Sequence, residues 1–354
     1  MRKPSRPAFG IVGTPAESTV VPSGERHTVD VTKYGLVPRE LLRTDRPGPD
    51  AVVDATVAAA RRGDWREVAA ALAPFQADPD RYHSVCAAVA DVAVQDDTWL
   101  WTWLDAAPGD AAAWCVHAMT MVGLAWQIRT AAAAEDVLPG QWAGFKRVLR
   151  QAPTACERAT ALAPHLATPW TTLLDCAQGL GYDHRRFRAI WAQVIRRAPS
   201  SVAAHKRGLQ YWLPQWQGSA EQAAEFVTES LARATRGQLL TGLLLRYLYL
   251  ERTPAGATER AAYLRGLEIA EAIDEARADL AAAPADHPYR AEHRHLLAYV
   301  LTKAGRYAEA VQEFQAVDGY AGAWPWQLHT DPAASFAATR AEALLGWQRA
   351  TDGR

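Results

Sequence analysis

A recurrence of Pro and ring residues constrains this chain more than any other feature. Ala-Pro, then five residues, then a ring occurs three times, running from Pro108 to Trp114, Pro164 to Trp170 and Pro199 to His205. Proline cannot continue a helix, so each copy marks one helix ending and another opening with a large side chain. The last two copies stand 35 residues apart, close to the period of about 34 residues at which stacked helix pairs repeat. The first interval is longer and calls for an enlarged element around residues 110–163. A second element is shared by "VVDATVAAARRGDWREVAAALAP" and "HLLAYVLTKAGRYAEAVQEFQAV". In each a Gly, a charged residue, an aromatic and then a Glu follow an apolar segment. Gly63 and Gly305 are expected to make tight turns, with Trp65 and Tyr307 opening the returning helices.

From Pro49 onward apolar residues recur at three- and four-residue spacing between Gly and Pro punctuation, the pattern of successive amphipathic helices. The first 48 residues instead combine Pro, Gly and Thr with short β-branched pieces such as "STVV" and "HTVDVTKYG". They read as an extended arm that lies across a groove. The sequence thus predicts an all-α body over residues 49–354, a right-handed α-superhelix of about six to seven helix pairs, preceded by an arm over residues 1–48.

These residues resemble tetratricopeptide-like helical repeats. The best match runs from Leu297 to Val317, where Leu297, Ala298, Gly305, Tyr307, Ala310 and Phe314 fall on the apolar, small, turn and aromatic positions of such a repeat. Gly208 and Leu209 depart from the usual order. Stretches such as "QDDTWLWTWL", "VHAMTMVGLAWQIR", "RFRAIWAQVIRRAP" and "LQYWLPQWQGSAE" are similar to those of uncharacterised proteins of that type from high-GC Gram-positive bacteria. The resemblance implies a fold and carries no activity.

Net charge is −1, with 38 basic and 39 acidic residues, so no general attraction to nucleic acid or an anionic membrane is expected. No apolar run is read as long enough for a membrane span, and the start lacks an export-type apolar stretch; a cytoplasmic protein is expected. Cys86, Cys115, Cys156 and Cys176 are far apart and read as small core residues rather than metal ligands or disulfides.

Phosphate-cradling glycine loops, nucleophile elbows and dinucleotide fingerprints are missing, and no metal or cofactor is expected. The chain holds no Asn at all, which removes mechanisms needing that side chain. Asp96 and Asp97 read as an acidic first turn favoured by the helix dipole. His287, Glu292, His293 and His295 have the wrong spacing for a metal and read as a solvated helix start. The basic run 184–188 reads as an outer helix face.

Aromatic stripes remain. Trp114, His117 and Met121 share one helix face, and Trp126 pairs with Arg129 on another. His205, Leu209 and Trp212 share a third, ahead of the Pro214 and Gly218 break with Tyr211 and Trp216 beside it. With 14 Trp in the chain, these residues either fill the core or line a concave surface. The leading expectation is a module that binds a peptide or partner protein through Trp114, Trp126, Arg129, Tyr211, Trp212 and Trp216. The alternative is a metal-independent enzyme of natural-product metabolism that encloses a hydrophobic small molecule, with His117 and His205 as its acid and base.

Overall fold

In a computed structural model, the structure describes residues 29–129, 138–254 and 256–352. The fold is all-helical, and the described residues contain no strand, only an isolated bridge between Arg43 and Tyr320. The described chain divides into two compact units, residues 50–234 and residues 29–49 with 235–352.

The first unit contains α1 (Ala51–Arg61), α2 (Trp65–Leu72), α3 (Pro79–Ala93), α4 (Thr98–Ala106), α5 (Ala111–Arg129), α6 (Pro139–Leu149), α7 (Ala152–Leu162), α8 (Thr168–Leu180), α9 (His184–Arg197), α10 (Val202–Trp212) and α11 (Ala220–Ala232). Short polar side chains start many of them. Asp50, Asp64, Asp78, Asp183, Ser201 and Ser219 each accept a first-turn backbone N–H, satisfying donors the helix itself leaves open. Gly63 turns α1 into α2 with a positive φ of 79°, a conformation that costs a side-chain-bearing residue about 1 kcal/mol or more.

Within this unit α1 packs on α3, α3 on α5, α5 on α8, and α8 on α10, while α2, α9 and α11 pack as partners of α1, α8 and α10. The enlarged element expected around residues 110–163 is the trio α5, α6 and α7. Trp114, Trp170 and His205 stand third or fourth in α5, α8 and α10, so the Pro-to-ring signature marks equivalent helix starts. Contrary to the expectation that no segment reaches membrane-span length, α5 is long and apolar enough by composition, but most of it is buried against α3, α4, α6, α7 and α8. Its apolarity on all sides is that of a central core helix. All four cysteines are buried and free, as core residues.

The second unit holds α12 (Thr241–Tyr247), continued by a π turn at Leu248–Arg252, then α13 (Ala257–Leu264), α14 (Leu267–Ala282), α15 (Arg290–Lys303), α16 (Tyr307–Ala316) and α17 (Pro332–Asp352). Gly305 has φ 78° and Tyr307 opens α16, matching the first unit's turn. The "STVV" piece of the arm lies outside the described residues. Val31–Tyr34 and Arg39–Leu41 form 3-10 turns, and this segment is tied to the α16–α17 connection. Arg340 donates to Asp318 at 2.9 Å and to the Val37 carbonyl at 2.7 Å, and the Val37 N–H donates to Asp318 at 2.8 Å.

The histidines of the 287–295 cluster are not a solvated helix start: His293 and His295 are buried. His295 donates from Nε2 to the Pro47 carbonyl at 2.7 Å and accepts at Nδ1 from Trp326 at 2.9 Å, and His293 Nε2 bonds the Ala276 carbonyl at 3.1 Å. The pattern misleads because a histidine inside a helical bundle is tolerated once both ring nitrogens find partners.

Candidate functional site

The sequence-predicted residues fall into four places within the first unit. His117 lies between two indoles, 5.0 Å from the Trp101 ring and 6.1 Å from Trp114, both edge-on. Burial lowers its pKa while neighbouring Asp97 opposes that shift. Trp101, 47% exposed, donates its Nε1 to Asp97 at 2.9 Å. Asp96 accepts from the Thr98 N–H and hydroxyl, so the acidic pair serves the start of α4.

A second place gathers Trp126, Arg129 and Trp216 with Trp142 and Phe145. Trp126 meets Trp216 edge-on at 5.9 Å and Phe145 at 5.0 Å. The Arg129 guanidinium sits 5.3 Å from the Trp126 ring and 5.0 Å from Trp142. It is 1% exposed, and burial depresses its pKa. The break after α10 creates this meeting. Gly218 folds back so closely that a side chain there would overlap the Trp212 main chain, and Gln217 bonds the Tyr211 carbonyl at 3.1 Å.

Tyr211 and Trp212 occupy a third place, against Phe187 and His184. Tyr211 stacks on Phe187 at 3.8 Å and donates its hydroxyl to the Tyr182 carbonyl at 2.7 Å, while His184 lies 4.7 Å from Trp212. His205 occupies the fourth, facing Trp191 at 5.1 Å. Its Nδ1 is 2.8 Å from the Ser201 carbonyl, which can only accept, so Nδ1 carries the proton. Burial pushes its pKa down to about 4. His117 and His205 therefore have different neighbours, and the structure does not bring them together.

A polar contact that sequence reasoning missed joins α3 to α10. Asp80 on α3 caps α10, accepting from the Ser201 hydroxyl at 2.7 Å and from the Val202 and Ala203 N–H groups at 2.9 and 3.4 Å. One turn further along α3 is His83, whose pKa is lowered by burial and by Arg207 and Lys206. Asp80 meets residues 201–203, and the charges of Lys206 and Arg207 act on His83. Arg207 Nε pairs with Asp175 of α8 at 3.2 Å. Gln210 follows Lys206 one turn on, on the same side of α10.

Asp91 lies eleven residues beyond Asp80, about 16 Å along the axis and within about 20° of the same face. Between them the stripe carries only Ser84 and Ala87, both half-exposed.

Two buried groups on α3 and α10 lack partners among the described residues: Gln210 is 7% exposed with neither Nε2 nor Oε1 hydrogen-bonded, and His83 is 3% exposed with Nδ1 unbonded. Leaving a buried polar group unsatisfied costs about 1–3 kcal/mol. Asp91, further along α3, is exposed to solvent. The helix "PDRYHSVCAAVADVA" does show two Asp three turns apart on one face, but a polar stripe reads as a solvated face until its neighbour is known.

No protein-family model matches the chain, and no curated protein matches it significantly. Among the described residues no group of three or more His, Cys, Asp or Glu is placed to hold a metal ion.

Proposed function

We propose that the unit of residues 50–234 is a cytosolic binding module of tetratricopeptide-like, right-handed superhelical type that takes a peptide segment of a partner protein between α3 and α10. The observation that carries this reading is Gln210. Its carboxamide carries N–H donors and an acceptor oxygen, the complement of a peptide group's carbonyl and N–H; both atoms are buried and unmatched among the described residues, so a peptide meets them once the packing over α10 opens. His83 Nδ1 adds a further free polar atom one helix away. The succession of inner helices α1, α3, α5, α8 and α10, each packed on the next, supports the repeat architecture. Four unpaired cysteines support a reducing compartment.

The test is retention of a random peptide pool by the full chain, measured beside the Gln210→Leu variant. Retention lost in the variant at a thermal midpoint no lower than that of the native protein is the expected result, because replacing an unsatisfied buried amide by an apolar group of similar shape removes its desolvation penalty. No retention by the native protein overturns the reading. A co-purifying mass of a few hundred daltons in native mass spectrometry would replace the peptide by an enclosed small molecule.

A further inference from the structure

We propose that residues 36–47 are an exchangeable strap: two copies of this chain trade it, each strap lying against α15, α17 and the connection 318–322 of the other copy. This docking surface belongs to the second unit and does not depend on the peptide reading of the first.

The strap is held chiefly by its main chain. Asp318 accepts from the Val37 N–H, and Arg340 donates to the Val37 carbonyl. The Arg43 N–H donates to the Gly319 carbonyl at 2.9 Å, while the Ala321 N–H donates to the Arg43 carbonyl at 2.7 Å and the Gly322 N–H to the Arg46 carbonyl at 3.0 Å. His295 ends the row on the Pro47 carbonyl. These bonds lay the strap parallel to residues 319–322, with Arg43 opposite Tyr320, in the manner of an extended segment added to a strand edge. Other partners hold the receiving side chains in place: Arg340 is buried against Asp318, and His295 against Trp326. A side chain on Gly322 would overlap the Arg46 main chain, so the receiving surface is shaped to backbone.

Few other contacts tie the strap to its own copy. Leu36 is its single buried side chain, and Arg39, Glu40, Leu41, Arg43 and Asp45 are exposed. A segment with so little apolar burial opens locally at low cost. Val37 and Asp318 stand 281 residues apart, so pairing within one copy draws no advantage from local chain closure. The identical surface of a second copy offers the same six main-chain bonds, which makes exchange a low-cost route to a dimer. Pro47 and Pro49, each with a fixed φ, flank Gly48 at the strap's end and form a short stiff hinge of the kind that invites exchange.

Charge reversal of the exposed pair between Arg39 of the strap and Asp331 tests this. Arg39→Asp and Asp331→Arg each set like charges together within one copy, whereas exchange between the two variants restores two opposite pairs per dimer. The full-length variants are incubated at high concentration, separately and as an equimolar mixture, and read by size-exclusion chromatography with light scattering. The mixture should hold about tenfold more dimer than either variant alone, the effect of two exposed ion pairs. An excess of a synthetic peptide of residues 34–48 should return it to the level of the single variants. Asp331 also accepts from the Ala334 N–H at the start of α17, so a second measurement uses the native chain. Equal parts of isotope-labelled and unlabelled protein should give mixed-mass dimers in native mass spectrometry, and the same peptide should suppress them. A mixture no more dimeric than its components, absence of mixed-mass dimers, or dimers that the peptide leaves untouched overturns the exchange. None of these outcomes bears on Gln210, whose own variant decides the peptide reading.

Discussion

Replacing Asp80 by Ala should release the start of α10. The carboxylate accepts three hydrogen bonds at the N-terminus of a helix that begins 121 residues away in sequence. A hydrogen bond to a charged group contributes about 1.5–3 kcal/mol, and an anion at a helix N-terminus about 0.3–2 kcal/mol more. These contributions share one side chain and do not add fully, so the expected net loss is about 3 kcal/mol. The loss is local, and hydrogen exchange reads it directly. The Val202 and Ala203 amides should exchange about a hundredfold faster in Asp80→Ala. Asp80→Asn keeps acceptor oxygen but loses the charge, and should fall between the two. If the two amides speed up less than about threefold, the cap does not hold α10.

Acidification should destabilise the fold through His205 and His295, both held near a pKa of about 4 by burial. The unfolded chain takes up those protons near pH 6.5 while the native chain resists until about 4, so stability is full above 6.5 and falls as pH drops through that window. The limit is about 3 kcal/mol per residue; urea midpoints at pH 7 and pH 5 should differ, and His205→Asn with His295→Gln should flatten the difference. Gly218→Ala should cost about 2 kcal/mol or more by overlap with the Trp212 main chain, seen as a lower thermal midpoint and altered Trp216 fluorescence.

Much of the helical framework was legible because it rests on local chemistry. Gly63 and Gly305 take the left-handed conformation their turns need, and Trp65 and Tyr307 open the next helices. The Pro-to-ring spacing located the starts of α5, α8 and α10. The candidate site was legible only in part. Trp126, Arg129 and Trp216 do meet, yet their partner Trp142 comes from α6, which no periodicity linked to them. Trp114 with His117, Tyr211 with Trp212, and His205 lie apart, each stripe packed against its own neighbours.

By itself, then, the sequence determined where helices begin and end and which faces are apolar, since caps, turn glycines and periodicity act within a few residues. Only the tertiary structure decided which polar faces meet solvent and which meet another helix. The stripe from Asp80 to Asp91 has the same spacing in either case. What buries the start of that stripe is α10, whose first turn is held by Asp80.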